Sequence, residues 1–338
     1  MALRLIEMVI KAKDLEKAQT LLAGFELIEY KILSLNNNEL LVRIISDSDQ
    51  NEAVLDALET HFVKREGARA LILPITSTLP HVAVSEAAHS PTRKRMSREE
   101  LYEEIKNQSL CSWVYIAMVV LSTVVASFGL RENGIVMIIG AMVIAPMLGP
   151  SIGLAFSCTL GDLNLMRNAL FSLAVSITIT ILLSTGLGIL VHVDPYTHEI
   201  ALRTKLTWAE FAVALSSGFA GALAFTTGTS AILIGVMVAV SLLPPLVTCG
   251  LLLGSGDSIR ALDALSLYWM NLICISIASV LVFLFQGIHP RRWRERKFAT
   301  KTTYLAIIIW GVMLIASAIL IFYLGHEGIQ TIKKNLVH

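Results

Sequence analysis

The amino-acid sequence predicts an α-helical, multi-pass membrane protein of about seven spans, preceded by a small α+β domain of the ferredoxin-like kind. Its 338 residues are 55% hydrophobic and 16% charged, whereas an average soluble domain has about 25% charged residues. Residues 1–110 hold most of the Asp, Glu, Lys and Arg, and long charge-free runs follow them. These runs reach the roughly 20 apolar residues that a helix needs to cross a bilayer.

Residues 1–76 are expected to fold as the soluble domain, because strand and helix signals alternate in the order βαββαβ. The "NNN" at 36–38 separates two strand-like runs and indicates a hairpin. The second helix, "DQNEAVLDALETHF", places three apolar residues on its buried face: Val54, Leu58 and Phe62. This order is that of a ferredoxin-like sandwich, a common module for assembly or for sensing a small ligand.

Residues 77–110 are expected to form a linker followed by a juxtamembrane helix. The linker contains Pro80 and Pro91. The "SREE" at 97–100 is a capping box, in which Ser97 and Glu100 cap the start of a helix.

The apolar part of the chain is an internal repeat with an offset of 95 residues. Trp113 aligns with Trp208, Pro150 aligns with Pro245, and Gly-Asp pairs align at the same offset. No gap is needed from residue 112 to residue 170. We therefore predict two three-helix repeats, 111–190 and 208–287, and an additional helix at 303–324.

The sequence allows two topologies for the middle segment of each repeat. If it crosses the bilayer, each repeat has three spans and the second repeat is inverted, as in many secondary transporters. If it enters and returns, the two repeats run parallel. In both cases the basic loop "HPRRWRERKFATK" at 289–301 is expected in the cytoplasm with the N-terminal domain, in a cell membrane.

The middle segments combine apolar character with helix-breaking residues at equivalent places. These residues are Pro146, Gly149 and Pro150 in the first repeat, and Ser241, Pro244 and Pro245 in the second. A proline inside a helix leaves a carbonyl without its donor, which lipid cannot replace. Paired broken helices of this kind indicate a substrate or ion site, and the alternative is a pair of kinks used for packing.

Other polar residues in the apolar part are candidates for the same site or for structural roles. The "TTGTS" segment offers hydroxyls that suit a small cation, or it is a plain turn: Thr226, Thr227, Thr229 and Ser230. Asn271 lies in the middle of a span and is expected to face the helix bundle. Asp162 and Asp257 each follow a glycine and are expected to cap the next helix.

Two stretches, "IIGAMVIAPMLGPSIGL" and "LLPPLVTCGLLLGSGD", resemble the signatures of the membrane protein family catalogued as domain of unknown function 389. Asn271 matches an asparagine typical of that family, and the resemblance covers roughly residues 112–287. The chain departs from the family pattern at Asn133-Gly134, where an Asp-Ser type of pair is expected. The resemblance implies an architecture and a membrane location, and it names no substrate.

These observations predict a transporter of a small ion or small solute, regulated or assembled by its cytoplasmic domain. The alternatives are an oligomeric ion channel and a non-transporting sensor or scaffold anchored in the membrane. The chain carries no metalloprotease, serine-hydrolase or P-loop motif. We therefore expect no enzymatic activity, no metal, no cofactor and no nucleic-acid partner, whereas a homo-oligomer is left open.

Overall fold

The computed structural model describes residues 3–25, 27–36, 38–63, 70–75, 96–228 and 231–288. The described residues up to Tyr102, together with Thr226–Gly228, form one compact unit, and the others form a second. Most of the predicted linker, the basic loop at 289–301 and the predicted helix at 303–324 lie outside the described residues.

The first unit contains a four-stranded antiparallel sheet and two helices. The strands are β1 (Leu3–Lys11), β2 (Glu29–Asn36), β3 (Glu39–Asp47) and β4 (Ala70–Ile75), and the helices are α1 (Leu15–Leu22) and α2 (Ser48–Leu58). The strand order across the sheet is β2-β3-β1-β4. The predicted hairpin turn is confirmed, because Asn36 at the end of β2 pairs with Glu39 at the start of β3.

The core of this unit follows from alternation in the strands and from the apolar faces of the helices. β1 buries Ile6, Met8 and Ile10 on one face of the sheet. Val54, Leu58 and Phe62 are all buried and pack in one cluster with apolar side chains of β1 and β3, but Phe62 lies in the π-helical turn Glu59–Val63 that follows α2.

The second unit is helical. Its elements are α3 (Arg98–Gln108, which begins in the first unit), α4 (Trp113–Arg131), α5 (Ile135–Ile144), α6 (Leu148–Leu160), α7 (Leu163–Leu190), α8 (His198–Leu202), α9 (Trp208–Thr227), α10 (Ala231–Ser255) and α11 (Ser258–Phe285). Among the described residues, α4, α7, α9 and α11 are long and apolar enough to cross a membrane, and α5 with α6 adds a fifth span if the bent pair is counted as one.

Side-chain caps define the starts of several helices. The predicted capping box is confirmed, because the Ser97 backbone N–H donates to the Glu100 carboxylate at 3.1 Å and the Glu100 N–H donates to Ser97 Oγ at 3.3 Å. Asp162 accepts from the backbone N–H groups at the start of α7, and Asp257 does the same at the start of α11. Both aspartates therefore satisfy helix donors that would otherwise lack partners.

Helices α4 and α7 run in the same direction. The Tyr115 hydroxyl donates to the Ser172 carbonyl at 3.0 Å, and further along both helices the hydroxyls of Thr123 and Thr180 are 3.2 Å apart. Because α5 and α6 connect the end of α4 to the start of α7, this pair of helices returns in the opposite direction.

Helix α10 runs in the same direction as α7. A Cβ built on Gly250 would overlap the side chain of Ser184, and one built on Gly254, a turn later, would contact Gly188. Contacts therefore advance together along the two helices. It follows that α10 runs opposite to α5 and α6.

The turn after α4 is tied to the short helix α8. Asn133 has a φ of 54°, in the left-handed region where asparagine is among the favoured residues. Its side-chain oxygen accepts from the Glu199 backbone N–H at 3.1 Å, and the Glu199 carboxylate pairs with Arg203 at 2.9 Å. The Asn-Gly pair that departs from the family pattern thus holds a loop contact in this chain.

Candidate functional site

The helix break lies between α5 and α6, at Ala145, Pro146 and Met147. Ala145 is extended, with φ −66° and ψ 119°, and the two helix axes differ by 49°. A residue that precedes proline is pushed out of the helical region by the proline ring. Because Pro146 also has no N–H, it cannot donate to the Met142 carbonyl that a continuous helix would bring to it.

Pro146 is the residue that interrupts the helix, and Pro150 is not. Pro150 is the third residue of α6, in the first turn, where the N–H groups have no helical acceptor in any case. Pro150 is therefore compatible with the start of α6.

The second middle segment differs from the predicted break. Helix α10 is continuous from Ala231 to Ser255, with Pro244 and Pro245 inside it. At the 95-residue offset Pro150 corresponds to Pro245, but Pro146 corresponds to Ser241. Pro244 and Pro245 lie far beyond the first turn of α10, yet the helix continues through them. The expectation of two matched breaks was therefore wrong.

A groove with a cavity volume of about 340 Å³ opens beside the break. One wall comes from the break: Val143, Ile144, Ala145, Pro146, Leu148 and Gly149. The other wall comes from the corner between α3 and α4: Asn107, Gln108, Leu110, Ser112, Val114, Tyr115 and Met118. None of these thirteen described lining residues is Asp, Glu, Lys, Arg or His.

Hydrogen bonds hold the corner between α3 and α4 against the helices that surround the groove. The Ser109 hydroxyl donates to the Ile105 carbonyl at 2.7 Å and also lies 3.3 Å from the Gly149 carbonyl oxygen. The Ser172 hydroxyl donates to the Ser109 carbonyl at 2.7 Å, and Tyr115 donates to the Ser172 carbonyl. Apart from Ile105, the four residues belong to four different segments, so they connect both walls of the groove to α7.

Two glycines allow α6 to approach this corner closely. A Cβ on Gly149 would lie 2.6 Å from the Gln108 carbonyl oxygen, closer than side-chain carbons come to oxygen atoms. A Cβ on Gly153 would overlap the Ser109 side chain. By contrast, a Cβ on Gly140 would have nothing within 4 Å.

The structure brings some of the predicted site residues to the groove and places others elsewhere. Pro146 and Gly149 line it. Pro244 and Pro245 are buried within α10, Asn271 is buried in α11, and none of them is a lining residue of this groove. Ser241 lies within α10.

The "TTGTS" segment belongs to another part of the structure. Thr226 is buried in the last turn of α9, and its carbonyl accepts from the Met96 backbone N–H at 2.8 Å. Thr227 is exposed, and Thr229 and Ser230 lie outside the described residues.

Sequence reasoning missed the corner between α3 and α4. The polar run "KNQS" at 106–109 stands directly before the first apolar span, and Ser112 caps α4 by accepting from the Tyr115 N–H at 3.1 Å. Polar residues at this place are also typical of a helix that ends at a membrane surface. The polar run was therefore visible in the sequence, but nothing in it indicated that Ser109 contacts Gly149, 40 residues further along the chain.

In the part of the chain that the structure describes, no group of three His, Cys, Asp or Glu residues could hold a metal ion. The residues that line the groove offer hydrogen bonding by amides, hydroxyls and backbone groups, together with apolar contact.

Comparison with known proteins gives two matches. A family model described as domain of unknown function (DUF389) matches residues 142–277, from the end of α5 into α11. An uncharacterized protein of Methanocaldococcus jannaschii is 32% identical over 282 residues, which cover 83% of this chain and 87% of that protein. No solved structure matches the chain.

Proposed function

Because the chain belongs to the DUF389 family, whose description leaves the activity open, we propose that it is a multi-pass membrane transporter of a small ion or solute. The observation that carries this proposal is the opposite direction of α5–α6 and α10. Opposed equivalent helices, one of them broken, are the plan of inverted-repeat transporters.

The helix directions favour crossing over re-entry for the middle segment. If α5 and α6 entered and returned on one side of the membrane, α7 would begin where α4 ends and would run against it. The contacts of Tyr115 with Ser172 and of Thr123 with Thr180 require instead that α4 and α7 run together. A bend of 49° is also much smaller than the reversal that a re-entrant loop needs.

Local structure supports the internal repeat, because equivalent turns are built in the same way. Gly161 and Gly256 have φ values of 71° and 88°. The Asp162 N–H donates to the Ser157 carbonyl at 3.0 Å, and the Asp257 N–H donates to the Leu252 carbonyl at 2.9 Å. Both turns are Schellman caps followed by an aspartate N-cap, at an offset of 95 residues.

The packing of the outer helices supports the same relation. Thr123 of α4 faces Thr180 of α7, and a Cβ on Gly218 of α9 would lie 2.8 Å from the Ile275 Cα of α11. Each pair is separated by 57 residues. The α4–α7 contact is a pair of hydroxyls, whereas the α9–α11 contact is a close approach of the two backbones. Both contacts nevertheless join positions that correspond at the 95-residue offset.

We assign the N-terminal unit to the ferredoxin-like fold and place it in the cytoplasm, as a regulatory or assembly module. The strand order β2-β3-β1-β4, with all pairs antiparallel, supports the fold. The arginines of the loop at 289–301 support the location. A fragment of residues 1–80 should melt cooperatively with mixed helix and strand circular dichroism, and a random-coil spectrum would contradict this assignment.

The transport proposal is tested by reconstitution of the purified chain in proteoliposomes. Saturable counterflow of one class in a panel of monovalent ions, small organic acids and polyols is expected, without steady conductance in planar bilayers. Conductance without saturation would favour the oligomeric channel. The absence of both would favour a scaffold role and would contradict transport.

A further inference from the structure

We infer that the groove beside the break binds an uncharged amphiphile, with a hydrogen-bonding head at the α3–α4 corner and one apolar chain along the break. The inference names a ligand class for the same site as the proposed function. It rests on that function in one respect, which is that the groove lies in a bilayer.

The polar groups of the groove come from one wall. Gln108 donates its amide nitrogen to Glu104 at 2.6 Å, so its amide oxygen can act as an acceptor for a ligand. Ser112 accepts from the Tyr115 N–H, so its hydroxyl hydrogen can turn to a ligand as a donor. With the exposed amide of Asn107, this wall matches a head that both donates and accepts.

The opposite wall is apolar and continues into an exposed apolar surface. Val143 of the break lines the groove and is 42% exposed, and Val114 of the α3–α4 wall, at the same groove, is 64% exposed. Two turns before Val143, on the same face of α5, Val136 is 83% exposed. In a bilayer this face contacts lipid tails, so an apolar chain can enter from the membrane without passing through water.

The charge and size of the groove narrow the class of ligand. A charged head would find no opposite charge among the thirteen lining residues, and an unpaired charge is costly wherever it is removed from water. Glu104 binds Gln108 from outside the lining and would repel an anion. A volume of about 340 Å³ is at the lower end of the range for small-molecule sites, which favours one chain over a two-chain lipid.

The protein contains its own reporter of groove occupancy. Cys111 lies between the lining residues Leu110 and Ser112, is partly exposed and forms no disulfide. The other three cysteines, Cys158, Cys249 and Cys274, are buried. Alkylation of Cys111 by N-ethylmaleimide should therefore be slowed by a molecule in the groove.

The test uses the full chain in phosphatidylcholine nanodiscs and three probes that share a twelve-carbon chain: monododecanoyl glycerol, dodecanoate and dodecyltrimethylammonium. The alkylation rate of Cys111 is followed by peptide mass spectrometry. The neutral probe should slow it about fivefold at about four times its Kd, and the two charged probes should slow it less than about twofold at the same mole fraction.

Two matched variants distinguish binding in the groove from a general effect of the probe on the bilayer. Val143→Trp fills the groove and should abolish the effect of the neutral probe, whereas Val136→Trp adds the same ring to the same face of α5 outside the groove and should preserve it. Equal slowing by all three probes, or a neutral effect that survives in Val143→Trp, would overturn the inference.

Failure of this inference can be distinguished from failure of the proposed function. Protection of Cys111 by the neutral probe without counterflow of any solute would retain the binding site and contradict transport. Counterflow of a solute without protection of Cys111 would retain transport and contradict the amphiphile site.

Discussion

The two middle segments of the apolar region have related sequences, yet one is broken and the other is continuous. The first bends by 49° between α5 and α6, and the second forms the single helix α10. Pro146 of the broken segment has Ser241 at the equivalent position, and Pro244 of the continuous segment has Gly149. The comparison teaches that a proline inside an apolar helix does not by itself break the helix, because α10 continues through Pro244 and Pro245 although neither has an N–H to donate to the carbonyl one turn earlier.

The largest expected effect concerns the side of the membrane on which each turn lies. The proposed inverted repeat has both middle segments crossing the bilayer. The α6–α7 turn and the α10–α11 turn are then on opposite faces of the membrane, although their caps are the same. In intact cells an impermeant thiol reagent should label a cysteine at Ser258, and it should label one at Asn164 only after lysis; both positions are exposed. Labelling of both from outside would contradict the inverted repeat.

The next effect concerns the break itself. Pro146→Ala restores a helical donor to the Met142 carbonyl and removes the restriction on Ala145, a change worth up to about 3 kcal/mol in helix preference. We expect α5 and α6 to straighten and transport of the counterflow solute to fall about tenfold or more, which corresponds to about 1.4 kcal/mol. The measurement is the initial rate of counterflow at equal protein density.

Pro150→Ala is the matched control for Pro146→Ala. Because Pro150 lies in the first turn of α6, its replacement should change the transport rate by less than about twofold. An equal loss in both variants would mean that the break is not the feature on which transport depends.

A smaller effect is expected from the close contact between α6 and the α3–α4 corner. Gly149→Ala forces a Cβ against the Gln108 carbonyl oxygen and should lower the free energy of unfolding by about 1–3 kcal/mol. Gly140→Ala, where a Cβ meets nothing within 4 Å, should be neutral or stabilising by up to about 1 kcal/mol. Thermal unfolding in detergent would compare the two, and a similar Tm for both variants would refute the close contact.

The smallest effect is expected at the crossing of α4 and α7. Thr123→Ala removes the hydroxyl contact with Thr180 and should cost about 0.5–1.5 kcal/mol. Gly218 stands at the equivalent position where α9 crosses α11. Thr123→Gly should therefore leave the helix directions unchanged, and cysteines at Ser258 and Asn164 should be labelled from the same sides of the membrane as before. A changed labelling pattern would show that the hydroxyl pair is required for the topology.

Much of the fold was predictable because it depends on local signals. The hairpin after β2, the apolar face of α2 and the capping box before α3 each involve residues within a few positions of one another. Strand alternation, helix periodicity and cap residues act over this short range. The candidate site was predictable in part, since Pro146 and Gly149 were identified from their helix-breaking chemistry and they line the groove.

By itself, the sequence determined the separation into an α+β part and an apolar, helix-rich part. The tertiary structure decided which proline interrupts a helix, in which direction each helix runs and which segment covers the break. The physical reason is that composition and periodicity depend on neighbours along the chain, whereas the groove depends on packing between segments far apart in sequence. Gly149 needs no side chain because Gln108 occupies the adjacent space, and nothing next to Gly149 in the sequence specifies that neighbour.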